Sequence, residues 1–142
     1  MKKLRVLLVA ISAVVALGAA PASASSAPIV ITYAKTCIEA IGHCEGSAGS
    51  GGTFEMQVTS FRQTGKGAVL TMTEEITVGD ISFTAEMRAH ATPAGFIVLN
   101  GTVTEGSFLG AQIHQRSNFV GASLDGSMTS WVGQLMLMPA SG

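Results

Sequence analysis

Ile81-Ser82-Phe83-Thr84-Ala85-Glu86-Met87-Arg88-Ala89-His90 alternates without a break. Ile81, Phe83, Ala85, Met87 and Ala89 fall on one side, and Ser82, Thr84, Glu86, Arg88 and His90 on the other. Successive side chains of a strand point to opposite faces, so this stretch is a strand with one dry and one wet face. Val78-Gly79-Asp80 turns into it and Thr92-Pro93-Ala94-Gly95 turns out of it, the latter with β-turn residues.

The same alternation, less regular, extends in both directions. Upstream, Phe54, Met56 and Val58 alternate with Thr53, Glu55, Gln57 and Thr59, and Phe61 breaks phase, which suggests a bulge or a strand end. Thr64-Gly65-Lys66-Gly67 is a turn. In Ala68 to Val78, Leu70, Met72, Ile76 and Val78 share a side. Glu74 falls in their register, which implies a change of face or a bulge. Downstream, Phe96-Ile97-Val98-Leu99 is apolar on both faces, as is Trp131 to Met138, and Phe108 to Phe119 starts apolar and turns polar. Asn100-Gly101 is a tight-turn dipeptide or a bulge within a longer strand. Asp125-Gly126 marks another turn, and Pro139 stops the last strand. Pro28 to Tyr33, β-branched and aromatic, reads as a first strand.

Seven to eight short strands joined by glycine-rich turns, with no sustained helical period, give an all-β fold: a single small antiparallel β-barrel, or alternatively a β-sandwich. Sequential hairpins favour the up-and-down barrel, because closing the sheet removes its edges.

Residues 1–24 read as an export signal. Lys2, Lys3 and Arg5 precede an apolar run from Val6 to Ala20, and Ala22-Ser23-Ala24 offers a small-x-small cleavage site before Ser25. An uncleaved N-terminal anchor is the alternative. The leader takes three of the eight basic residues and none of the nine acidic ones. The remainder has five against nine, a formal charge of −4. That mildly acidic balance, with lysines and arginines scattered, carries no footprint for nucleic acid or for anionic membranes. After cleavage no segment is long and apolar enough to insert stably in a membrane, and the expected location is periplasmic or extracellular, in a bacterium.

Cys37 and Cys44 are the only cysteines. In an exported chain, two cysteines this close most simply form a disulfide. A metal site using Cys37, His43 and Cys44 would lack a fourth nearby ligand, and a redox pair would want C-x-x-C spacing. Gly46 to Gly52 reads as a flexible linker or long loop. Three segments follow: the leader at 1–24, an N-terminal strand with disulfide loop and linker at 25–51, and the barrel at 52–142.

The order of motifs in 52–142 resembles a known family. Gly52-Thr53-Phe54-Glu55-Met56, then Gly106-Ser107-Phe108 leading to Gln112 to His114, then Trp131-Val-Gly-Gln-Leu-Met-Leu-Met-Pro-Ala-Ser-Gly, is similar to a family of small bacterial proteins built around a domain of unknown function, DUF3224. That family has the allene oxide cyclase-like barrel that plant dirigent proteins share. The resemblance implies a barrel and carries over no catalytic residue. The family continues past the Pro-x-Ser-Gly stretch into a closing strand. Here the strand at Pro28 to Tyr33 is a candidate for that place; otherwise the barrel stays open or pairs with another chain.

Two polar faces are candidates for a site. Glu86, Arg88 and His90 share one face of their strand, and Gln112, His114 and Arg116 share one face of theirs. If these faces met inside the barrel, histidine and glutamate would provide acid–base chemistry or hold a polar head group. The apolar set at 81–89 claims the inside, which puts Glu86, Arg88 and His90 outside. The face opposite His114 (Ala111, Ile113) is only moderately apolar. Gln112, His114 and Arg116, with Trp131 of the last strand, are therefore the candidate ligand-binding residues. The expected interior set mixes large residues (Phe83, Met87, Phe108, Trp131) with small ones (Ala85, Ala89, Gly110, Gly133). There is no Gly-x-Ser-x-Gly elbow, and the methionines read as core filling and not as a copper site.

Three functional readings follow, none requiring a cofactor or metal. The first is an exported, non-catalytic barrel holding a small hydrophobic ligand. The second is an isomerase or cyclase acting on a hydrophobic substrate. The third is an assembly protein, such as a homo-oligomer, joined through Trp131 to Met138.

Overall fold

The structure, a computed structural model, describes residues 27–91 and 93–140. The leader at 1–24 and its cleavage site at Ala24–Ser25 lie outside the described residues.

Eight strands run up and down in chain order: β1 (Ile29–Ile38), β2 (His43–Ala48), β3 (Gly52–Thr64), β4 (Gly67–Val78), β5 (Ile81–Ala91), β6 (Phe96–Gly106), β7 (Gln112–Ala122) and β8 (Met128–Met138). They form one closed barrel in which every neighbouring pair is antiparallel. An even number of hairpin-connected strands brings the last beside the first in antiparallel sense, and β1 pairs with β8 from Ile29↔Leu137 to Ile38↔Met128. The segment before residue 52 thus belongs to the barrel: β1 and β2 are two of the eight staves, and β1 closes the sheet.

The Gly46–Gly52 stretch is not a long loop. Its first residues complete β2, and only a three-residue turn at 49–51 separates β2 from β3. Gly46 sits where an added Cβ would collide with the Ala34 carbonyl across the ladder, so its glycine serves strand pairing and not flexibility. Cys37 and Cys44 are directly opposed in the β1–β2 ladder and joined by a disulfide, at a Cα separation of 4.0 Å. With both sulfurs joined, a thiolate metal site at Cys37, His43 and Cys44 is closed to this state. The disulfide suits an oxidising compartment.

The strand at 81–90 behaves as its alternation requires: Phe83, Ala85, Met87 and Ala89 are buried, while Ser82, Glu86, Arg88 and His90 are exposed. The phase break in β3 is a bulge at Thr59, between the pairs Val58↔Met72 and Ser60↔Thr71, and beyond it Phe61 lies opposite Leu70 and is exposed. Asn100-Gly101 lies inside β6, opposite Arg88 and Met87, and is not a turn. Phe108 and Gly110 leave the expected interior set: both lie exposed in the β6–β7 turn, Phe108 at a left-handed φ of 61°.

The barrel is filled unevenly. At the end where β1 begins, Ile31, Phe54, Ile76, Phe83, Val103, Ile113, Leu135 and Leu137 pack a continuous apolar plug. At the other end the walls are capped by the 3₁₀ turn Glu39–Ile41, which connects β1 to β2. The outer face of β8 leaves apolar side chains uncovered among the described residues: Val132, Met136 and Met138 are exposed, with Gln134 between the first two, as is Val30 beside Met136.

Candidate functional site

Glu74 does not leave the barrel. No bulge intervenes in β4; its neighbours across the ladder are Met56 and Ala85, both inward, and its side chain is 0% exposed. Lys35 on β1 is inward by the same logic, two residues from Tyr33 and two from Cys37. Gln115 and Ser117, inward from β7, complete a buried polar layer above the apolar plug.

The layer is wired through Gln115. Its Nε2 donates to Glu74 Oε1 at 3.1 Å and lies 3.0 Å from the Tyr33 hydroxyl. The Tyr33 hydroxyl in turn donates to the Arg116 carbonyl at 3.2 Å. Tyr33 stacks on Phe54, ring centroids 4.8 Å apart, and the Lys35 Nζ sits 5.1 Å above the Phe54 ring and 5.5 Å from that of Tyr33. Two ring faces attract the ammonium electrostatically. Among the described residues the one hydrogen-bond acceptor that Nζ meets is the Met56 thioether, at 3.5 Å, a weak one. Among the described residues, three buried atoms have no well-formed hydrogen bond: Glu74 Oε2, Gln115 Oε1 and Ser117 Oγ, the last beside the Tyr33 hydroxyl.

Burial dominates the electrostatics. It raises the Glu74 carboxyl above its ordinary value, against the opposing pull of Lys35 and of the Gln115 hydrogen bond. It lowers the Lys35 amine, against the opposing effect of Glu74. The Tyr33 phenol is pushed up to about 12, chiefly by burial, and stays protonated. Both members of the Lys35–Glu74 pair therefore lean toward neutrality.

A stability prediction follows. In the unfolded chain Glu74 ionises near 4.5, while in the folded barrel it keeps its proton to higher pH. Between those values the folded state holds the extra proton, so stability falls as pH rises through that window. A Glu74→Gln variant has no such proton. Its stability relative to the native chain should climb from pH 4.5 upward, by at most about 1.4 kcal/mol per pH unit. Denaturant unfolding of both proteins between pH 4 and 8 measures it, and a flat difference contradicts the assignment. Lys35 acts in the opposite sense higher up: between its lowered native value and 10.5 the unfolded chain holds the extra proton, so stability rises with pH there.

Above the polar layer a cavity of about 110 Å³ opens toward the capped end. Lys35 and Ser117 lie in its lining; Met56, Met72, Ala89 and Leu99 are among its apolar walls, and Cys37 and Cys44 place the disulfide in the wall as well. Glu39, Gly42, Val58 and Trp131 form its rim. The rim is strapped on two sides. Toward β8, Glu39 N–H donates to the Ser127 carbonyl at 3.0 Å, Thr129 Oγ1 donates to Glu39 Oε1, and Trp131 Nε1 donates to Thr129 Oγ1 at 2.9 Å. Toward β3, Gln57 Nε2 donates to the Ile41 carbonyl at 2.9 Å and Val58 N–H to the Gly42 carbonyl at 2.8 Å. Gly42 takes a left-handed φ of 61°, and a Cβ there would stand 2.9 Å from Val58 Cβ.

Gly133 on β8 shapes the layer from behind, because a Cβ there would collide with the Tyr33 hydroxyl and the Arg116 carbonyl. Gly133→Ala should cost about 1–3 kcal/mol through overpacking. Gly65→Ala, where no atom lies within 4 Å of the added carbon, should be near neutral. Thermal unfolding of the two variants checks the contrast; equal melting temperatures would contradict it.

Of the four candidate ligand-binding residues, only Trp131 lines this cavity, half-buried and edge-on to Phe119 at 5.3 Å. Gln112, His114 and Arg116 lie on the outer face, because Ala111, Ile113, Gln115 and Ser117 take the inside of that segment. Each is engaged there in ordinary surface pairing. Gln112 Nε2 donates to Thr102 Oγ1 at 3.2 Å, and His114 Nδ1 lies 2.7 Å from Asn100 Oδ1 across the ladder. The Arg116 guanidinium covers the Phe96 ring at 4.1 Å. Glu86 and His90 are outside as well, so the acid–base site expected from these groups has no interior geometry. Lys35, Glu74, Gln115 and Ser117 were the residues sequence reasoning missed. Their signal was register, since each stands in phase with buried apolar neighbours. Among the described residues no cluster of histidine, cysteine, aspartate and glutamate is arranged to hold a metal.

Comparison of the chain with protein-family models, with curated proteins and with solved structures finds no match.

Proposed function

We propose that this is an exported, non-catalytic binding barrel that holds one small molecule, mainly apolar, with its polar end directed at Lys35 and Ser117. One observation carries the reading: an open apolar cavity whose lining includes a buried amine and a buried hydroxyl, neither of them well satisfied by the protein. Buried polar groups are normally hydrogen-bonded, and a site that leaves them free favours a guest that satisfies them. Typical drug-sized pockets span roughly 300–1,000 Å³, so at about 110 Å³ the guest is small. The leader-like start and the disulfide support export to an oxidising compartment.

Trp131 is the only tryptophan and stands at the rim, so its emission reports occupancy. Titration with benzyl alcohol should give a saturable change in that emission. Ala89→Leu, which fills the cavity from a buried position in its wall, should abolish the change. An unchanged spectrum, or the same response in Ala89→Leu, overturns the reading.

Self-association is the second reading. It rests on the exposed outer residues Val30, Met136 and Met138, with Val132 beyond Gln134, since clustered exposed apolar side chains mark interaction surfaces. Native mass spectrometry at micromolar concentration should show a dimer that Val132→Lys disperses; a strictly monomeric native protein rules it out.

A further inference from the structure

Resting on that binding reading, we infer that Lys35 captures small aldehydes covalently, as a reversible imine formed within the cavity. The amine lies in the cavity lining and is buried, while the second lysine outside the leader, Lys66, lies exposed in the β3–β4 turn. Nζ is held by two aromatic faces and one thioether, contacts that leave its lone pair uncommitted when the proton is absent. No salt-bridge partner lies within 4 Å of it among the described residues.

The choice between carbonyl and carboxylate guests turns on the guest's charge. A carboxylate would have to shed its hydration on entering a dry interior, a cost that an amine leaning toward neutrality does not offset. An aldehyde brings no charge. Burial favours the neutral amine, the form that attacks carbon. The other titratable groups around Lys35 are Glu74 from β4 and Tyr33 from β1 itself, with Glu39 at the cavity rim.

The step balances without an added oxidant or reductant. The Nζ lone pair forms a bond to the carbonyl carbon and one amine proton passes to the oxygen, giving a carbinolamine. The C–O bond then breaks, the oxygen leaves as water with the second amine proton, and the nitrogen lone pair closes the C=N bond. Ser117 Oγ, in the same lining and without a well-formed partner, is the hydroxyl available to hydrogen-bond the departing oxygen.

The test uses the exported protein with benzaldehyde as probe and cyanoborohydride to reduce any imine in place, followed by peptide mapping. At pH 7, Lys35 should be benzylated at least tenfold faster than Lys66, with the chain's α-amine mapped separately. Ala89→Leu should suppress the Lys35 label and leave that of Lys66 unchanged, which keeps the test open if Lys35→Met fails to fold. Labelling of Lys35 no faster than Lys66, or labelling unaffected by Ala89→Leu, overturns the inference. Benzyl alcohol separates the two readings. If the alcohol binds and the aldehyde is not captured, the imine is wrong and the binding barrel stands; if neither enters, both fall.

Discussion

Glu74→Leu and Lys35→Met should each destabilise the barrel by about 3–5 kcal/mol, while the double variant should unfold within about 1 kcal/mol of the native protein. The asymmetry comes from desolvation. Each single change strands the remaining partner in an interior where an uncompensated charge, or the proton transfer that removes it, is costly. Replacing both together removes the need for compensation, and leucine and methionine approximate the volumes they replace. Gln115 would lose its bond to Glu74 and keep the Tyr33 hydroxyl 3.0 Å from Nε2. Urea unfolding at pH 7 with the disulfide intact measures the cycle. If the double variant loses the sum of the two single losses, Lys35 and Glu74 act independently and the pairing is wrong.

Phe54→Ala should cost about 3–5 kcal/mol, and Phe61→Ala, in the same strand, no more than about 0.5 kcal/mol. Phe54 is 1% exposed, whereas Phe61 is 64% exposed beyond the Thr59 bulge. Phe54 does double service: its ring fills the plug, stacks on Tyr33 and underlies the Lys35 amine. Its truncation opens a cavity that plug and polar layer share, so the loss should exceed what its transfer from water alone would give. Calorimetric melting should separate the variants by about 10 °C or more. Similar melting temperatures would mean that the layer does not rest on Phe54.

The barrel was legible because a strand's period is two and this chain keeps the period where it matters. Ile81 to His90 places every residue on its correct face, and the closed meander follows from strands linked by turns. The polar layer was hidden by the assumption that an inward register must be apolar. Glu74 stands in phase with Met72 and Ile76, and its charge suggests a change of face or a bulge, whereas β4 keeps its face and the bulge is on the facing strand at Thr59. Lys35 shares its phase with Ile31, Tyr33 and Cys37 and would have followed from extending the first strand. Gln112, His114 and Arg116 carry site-like chemistry, but alternation with the buried Ala111 and Ile113 places them outside. Gly46 to Gly52 was read by composition, and composition does not report that two backbones approach too closely for any side chain. What no single strand's pattern holds is which strands meet across the interior, and that meeting makes Tyr33, Glu74 and Gln115 one layer.

Because β1 begins beside the end of β8, with Ile29 opposite Leu137, both ends of the described barrel lie at the plugged pole, and the strapped rim crowns the opposite one. The molecule therefore has a handle and a mouth. Whatever grips the barrel at residue 27 or residue 140, whether a bead, a fused protein or a surface, holds it by the pole opposite the mouth. Tethering through residue 27 or residue 140 should leave guest uptake as it is in free solution, and cutting the chain at the mouth should not.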